Sequence, residues 1–265
     1  MADIRLVTET VDTQDVITSV LHYEKRWNPD LDLRASIEKL QRLIDTFTCH
    51  VKPHESEAER LYQALDILYI EMAFSGTLQD IPESLLSSFS YALDYRTGDS
   101  ISLGIIITHF LRKAGFDADP VVADNDIFIK VMLPEERFAL IEPDTGMQEI
   151  FSIKPTNGMT LLEPELTRSI DNKTCMMLFL TRMKMSFMNE DSYEEALSCV
   201  ELLMDLSPED PYQHRDRGML LQRLDCFQLA KQDFQFFIER CPNDPLAEIL
   251  KIQLDEFEPV DHIVH

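Results

Sequence analysis

Two proline-centred turns, Ser207-Pro208-Glu209-Asp210-Pro211-Tyr212 and Cys241-Pro242-Asn243-Asp244-Pro245-Leu246, stand 34 residues apart, and Ala196 recurs as Ala230 at the same offset. Proline inside a helix removes a backbone hydrogen bond and clashes with the preceding turn, but it is tolerated at a helix's first position. Each motif therefore ends one helix and opens the next. A fixed period of this length marks helical hairpins that cannot bury their apolar faces alone and must stack to do so. The C-terminal third is thus constrained to a short solenoid.

The period is that of tetratricopeptide repeats. Placing Pro208 and Pro242 at the closing proline puts Ala196 and Ala230 at the small position of the second helix, and Gly218 at the small position of the first. All three are small because the two helices of a hairpin cross closely there. The first repeat departs from the pattern, with Lys184 at the place of Gly218. Phe234 and Phe237 fill apolar positions, and a helix from Pro245 to Leu254 would cap the stack. The first helices line the concave face, which assigns partner binding to Tyr212, Arg215, Met219, Gln222 and Arg223, with Thr181, Met185 and Met188 from the preceding repeat. Arg215, Arg217 and Arg223 can equally pair with Asp210, Asp216 and Asp225 as ordinary surface ion pairs. A helical bundle with two similar turns is the rival architecture.

Charge limits the partners. With 24 Lys and Arg against 48 Asp and Glu, the 265 residues carry a net charge of −24. Duplex nucleic acid would be repelled, since its non-specific affinity comes from cations that neutralise phosphates. No stretch reaches the ~18 uncharged apolar residues of a membrane span, and Met1-Ala2-Asp3-Ile4-Arg5 has no signal-peptide character. The five cysteines, Cys49, Cys175, Cys199, Cys226 and Cys241, never form a Cys-x-x-Cys pair, which fits a reducing cytoplasm. His50 and His54 near Cys49 and Glu57 straddle Pro53 and match no metal-ligand spacing; neither a metal nor another cofactor is expected.

The remaining chain is helical and then briefly β. Apolar residues recur at three and four from Gln14 to Met72, with Ile37, Leu40, Leu43 and Ile44 forming one stripe and Leu61, Leu65, Leu68, Tyr69 and Met72 another. Asp32 and Ser56 are N-cap candidates, and Pro53 separates the helices. A further helix is expected from Ile81-Pro82-Glu83 to Leu93. Few charges interrupt Ile101 to Leu111, so a helix there is buried on nearly all sides and ends at Gly115. Val121-Val122, Ile127 to Val131 and Phe138 to Ile141 read as strands, with a loop at Pro134-Glu135-Glu136.

The run Ala92-Leu93-Asp94-Tyr95-Arg96-Thr97-Gly98 with Ile101-Ser102-Leu103, and later Ile141-Glu142-Pro143-Asp144-Thr145-Gly146, resembles the bacterial SirB-type family. So do the Asp-Pro-Tyr and Arg-Asp-Arg-Gly segments of the repeats and the final His262-Ile263-Val264-His265. The resemblance spans nearly the whole chain. It implies a transglutaminase-like domain followed by tetratricopeptide repeats, with a regulatory role. Catalysis in transglutaminase-like enzymes uses a Cys at the start of a buried helix, a His on the next strand and an Asp on the one after. The helix end lowers the thiol pKa, the His takes the proton and the carboxylate orients the ring. Here the helix start carries Ser100 and Ser102, the His position is best matched by Asp126, and the third position by Glu142. His109 lies seven residues beyond Ser102, about two turns or ~10 Å along the same helix, too far to substitute.

The expected fold is therefore α+β and mainly helical: a transglutaminase-like domain with a small antiparallel sheet over residues 1–160, then an α-hairpin repeat domain over 161–265. The linker is placed between Lys154 and Asn172. The expected function is a non-enzymatic cytoplasmic adaptor that binds a partner protein through the repeats and contacts neither nucleic acid nor membrane. The alternative is a serine hydrolase or acyltransferase using Ser102 or Ser100 with Asp126 and Glu142.

Overall fold

The computed structural model describes residues 16–76, 80–123, 126–153 and 168–256. The chain divides into two compact units, Met1–Arg182 and Met183–His265. The domain boundary expected after residue 160 and the C-terminal tail lie outside the described residues, as does most of the expected linker.

The first unit opens with α1 (Val16–Glu24), α2 (Leu33–His50) and α3 (Glu57–Asp66), the last continued by a π-helical turn, Ile67–Glu71. Asp32 caps α2, its carboxylate accepting from the Ala35 amide (3.0 Å); this satisfies one of the first-turn N–H groups that lack a helical partner. Ser56 occupies the N-cap of α3 without a side-chain cap bond. The buried stripe of α2 runs Leu40, Ile44, Phe47. Its first turns stand clear of the core, so Ile37, expected in the stripe, is 37% exposed.

The helix expected from residue 81 to 93 is two helices, α4 (Glu83–Ser87) and α5 (Phe89–Tyr95). The break is at Ser88, which is extended (φ −72°, ψ 131°) and caps α5 by accepting from the Tyr91 amide (3.2 Å). Glu24 of α1 is fully buried and receives the Phe89 amide on one oxygen and the Ser90 amide on the other (3.0 Å). A carboxylate from a distant helix thus takes up the N–H groups that a continuous helix would have paired with its own carbonyls.

α6 (Ser100–Lys113) is buried at every position from Ile101 to Leu111 except His109. Gly115 closes it at φ +86°, a left-handed conformation costly for any residue with a Cβ, and the Phe116 amide returns to the Leu111 carbonyl (3.0 Å). Against α6 packs an antiparallel sheet of β1 (Ala118–Ala123), β2 (Asp126–Leu133), β3 (Arg137–Ile141) and β4 (Gln148–Ser152), in that order. β2 alternates, with Ile127, Ile129, Val131 and Leu133 buried. Gly104 allows the close approach: a Cβ there would stand 2.6 Å from Ile127 Cγ2. Pro120 lies in the outermost strand, β1, and its carbonyl accepts from the Ile170 amide (2.9 Å). β4 was not anticipated, because Gln148 to Ser152 is a short, polar edge segment with no clean alternation.

α7 (Asn172–Asn189) contributes to both units, its residues from Met183 belonging to the second. There follow α8 (Tyr193–Leu206), α9 (Pro211–Arg223), α10 (Phe227–Arg240) and α11 (Pro245–Glu256). Asp210 caps α9 ahead of Pro211 at its first turn. Ala196 and Ala230 are buried as the repeat pattern requires, and Leu221, Phe234, Phe237, Ala247 and Leu250 form a continuous core across the last three helices. Lys184, the departure at the small position, is also buried, its ammonium 2.6 Å from Asp216.

Candidate functional site

The start of α6 opens into a cleft of about 430 Å³, lined by Gly98, Asp99, Ser100, Asp126, Glu142, Pro143, Asp144 and Arg182 among others. Three chain segments set its walls. The Gly76 amide donates to the Asp144 carbonyl (2.7 Å), and the Tyr69 hydroxyl donates to the Pro143 carbonyl (2.9 Å). Burial, with the Asp144 charge second, pushes the Tyr69 phenol up, so its hydroxyl keeps its proton and this tie persists across the physiological range. The rim is thereby fixed to both neighbouring segments.

Ser100, the first residue of α6, donates from Oγ to Asp126 Oδ1 at 2.6 Å. Arg182, from α7, donates through Nη2 to the same oxygen at 2.7 Å. Its Nε stands 4.0 Å from Asp99 Oδ2. Asp99 is itself occupied as the N-cap, accepting from the Ser102 amide (2.8 Å) and from Ser87 Oγ (2.7 Å). Ser100, Asp126 and Arg182 form one connected unit on the cleft wall.

The other expected positions part from it. Ser102 is buried, its hydroxyl turned back to the Asp99 and Leu86 carbonyls (3.3 and 3.5 Å), and it does not line the cleft. Two positions on from Ser100, it lies about 200° round the helix from it. Glu142 does line the cleft, but accepts from Thr145 Oγ1 (3.0 Å) within its own turn. His109 lines a separate, small cavity with Arg112 and Cys175. No histidine or cysteine lines the cleft among the described residues, and no three His, Cys, Asp or Glu side chains there come together as a metal site. Arg182 was missed: 56 residues separate it from Asp126, and nothing local distinguishes it from any helix arginine.

In the second unit the five expected binding residues divide into two sets. Met219, Gln222 and Arg223 line a groove of about 380 Å³ together with Met188, Asp191, Tyr193 and Leu220. Arg223 lies over the Tyr193 ring (5.8 Å), and the Tyr193 hydroxyl donates to Asp191. Tyr212 and Arg215 are elsewhere: Arg215 stacks on Tyr212 (5.1 Å) and donates to Asp216 Oδ1 (2.6 and 2.8 Å), while Tyr212 packs edge-on to Phe237 (5.7 Å).

A family model of the transglutaminase-like superfamily matches residues 34–198, and one of the tetratricopeptide repeat matches residues 183–255. The UPF0162 protein of Vibrio cholerae serotype O1 is 30% identical over 260 residues, 95% of this chain and 96% of the relative. The chain belongs to the UPF0162/SirB1 family. Within that family, the YchA protein of Escherichia coli K12 is 26% identical over 243 residues, 89% of either chain. Protein SirB1 of Salmonella typhimurium is 26% identical over 242 residues, 89% of this chain and 90% of the relative. No solved structure matches. The chain is thus mainly helical, with a small antiparallel sheet in its transglutaminase-like part and hairpin repeats after it. No described helix is long and apolar enough to cross a membrane.

Proposed function

We propose that this chain is a non-enzymatic adaptor, with the transglutaminase-like unit serving as a catalytically degenerate scaffold and the repeats binding a partner protein. One observation carries the first half: Asp126, at the position of the base, shares a single oxygen between Ser100 and Arg182. Moving the Ser100 proton onto that carboxylate would dissolve its ion pair with the guanidinium, whereas an imidazole base gains a charge it can place against a carboxylate. The second half draws support from the tetratricopeptide match over residues 183–255 and from the adaptable, Met-lined groove within it. A cytoplasmic location accords with five free thiols.

A second reading has its own observation. Ser100 Oγ is hydrogen-bonded to a carboxylate, at a helix N-terminus, in an open cleft. That arrangement could support acyl transfer with Ser100 as nucleophile.

Two measurements decide between them. A fluorophosphonate probe should leave the protein unlabelled; covalent labelling that disappears in Ser100→Ala would establish the enzyme. Affinity capture with the full chain as bait should retain a protein that a Met188→Ala, Met219→Ala, Arg223→Ala variant releases. Equal capture by both baits would remove the groove from the account.

A further inference from the structure

The arginines of the second unit are not equivalent. Arg215 is held by Asp216, Arg217 donates twice to the buried Asp233 (2.7 Å each), and Arg240 pairs with Glu209 (3.1 Å). Arg223 makes no ion pair among the described residues; it is exposed and rests on the Tyr193 ring at the groove's rim. The acid in the same groove, Asp191, is engaged by the Tyr193 hydroxyl, which holds that phenol above its ordinary value. Beneath this rim the wall is apolar, with the thioethers of Met188 and Met219 beside Leu220.

We propose that this groove takes an acidic–apolar segment of a partner protein: an aliphatic or aromatic side chain seated between Met188 and Met219, next to a Glu or Asp carboxylate that meets Arg223. This rests on the adaptor reading and adds the partner's chemistry to it. A cavity of about 380 Å³ is the size of a specific pocket for one or two side chains, not of a flat interface. Its apolar wall is built from side chains that re-pack around irregular shapes. The guanidinium brings planar, forked donors that suit a carboxylate. The overall charge of −24 opposes an acidic partner only at range. At physiological salt, charges beyond about 8 Å are screened, so the two local charges decide and the net charge merely slows the encounter. The Asp191 carboxylate is turned to the Tyr193 hydroxyl, whereas the Arg223 guanidinium, with no ion pair among the described residues, has donors left for an incoming carboxylate.

The test is fluorescence polarisation of the full chain against three labelled peptides of equal length, each carrying the same leucine pair flanked by Glu, Lys or Gln. The Glu peptide should bind about tenfold or more tightly than the Lys peptide. Arg223→Gln should abolish that ratio, Met219→Glu should abolish binding, and Arg240→Gln should change neither. Raising the salt should narrow the ratio. No binding of the Glu peptide, a preference for Lys, or an unchanged ratio in Arg223→Gln would overturn the proposal. Binding that emerges only after deletion of residues 257–265 would assign the groove to the chain's own tail instead. A partner captured in a groove-dependent way from lysate, without the acidic preference, would leave the adaptor reading standing and remove this one.

Discussion

A Cβ placed on Gly218 would stand 2.5 Å from Cε1 and 2.7 Å from Cδ1 of Phe234. The two helices of the hairpin, α9 and α10, meet ring against backbone at this point. The neighbour is a buried ring with nowhere to go, so Gly218→Ala forces displacement. Overpacking of this kind costs about 1–3 kcal/mol, more than the ~1 kcal/mol a helical Gly-to-Ala change gains. Urea midpoints should fall, and a rise would show that the hairpin can open without loss.

Lys184 and Asp216 predict the opposite sort of sensitivity. The ammonium is 5% and the carboxylate 14% exposed, and Asp216 also receives Arg215. Asp216→Ala leaves two cations without their carboxylate, the buried Lys184 keeping only Gln213 Oε1 at 3.4 Å among the described residues, and should destabilise by about 3–5 kcal/mol. Lys184→Met should be much milder, since Asp216 keeps its pairing with Arg215 and no buried cation is left behind. Chemical denaturation of the two single variants separates the cases.

Ile106 is fully buried in α6. Ile106→Ala should destabilise by ~2–5 kcal/mol, the range for large-to-small core substitutions. A loss under 1 kcal/mol in calorimetry would mean that α6 is not the centre of the first unit's core.

Glu24 yields a pH dependence. Desolvation by burial raises its pKa above the ordinary 4.5, outweighing the backbone and side-chain hydrogen bonds from Ser90 and the amide of Phe89. The native state then holds the proton more tightly than the unfolded chain. Stability from this group is complete below the unfolded pKa and is lost as pH rises through the folded one. Glu24→Gln cannot accept two amides equally well and should be less stable at pH 4. Its deficit should shrink as pH rises from about 4.5. A deficit that widens over the same range would reverse the sign.

The thiols should fall into two classes. Cys49 and Cys226 are exposed, whereas Cys175 and Cys199 are buried. Burial pushes Cys175 up to about 12 and Cys199 higher still, keeping both as unreactive thiols. Iodoacetamide at pH 8 followed by peptide mass mapping should modify the exposed pair first. Early modification of Cys175 would show that α7 opens readily.

Much of the local architecture was legible from the chain alone, and the reasons are local. Asp32 caps where a polar residue precedes a periodic run, Gly115 terminates where only glycine turns left-handed at little cost, and Gly218 is small where its period requires it. What escaped depends on partners far away in sequence. The split between α4 and α5 comes from Glu24, 65 residues before Phe89. The cleft's third member, Arg182, is 56 residues beyond Asp126. Ser102 looked as suitable as Ser100 because two residues in a sequence carry no direction, while two residues on a helix point about 200° apart. Tyr212 and Arg215 shared an expected face with Arg223, yet ring stacking and Asp216 hold them against their own hairpin.

Because the carbonyl of Pro120 points outward to Ile170, the nitrogen of the same residue faces outward too, and the pairing of β1 with β2 forfeits nothing by lacking its hydrogen. That border of the sheet therefore shows an approaching strand neither a donor nor a vacant acceptor at its midpoint. A strand added at this border would find no donor at Pro120 and that residue's carbonyl already taken by Ile170, which disfavours copy-to-copy pairing there.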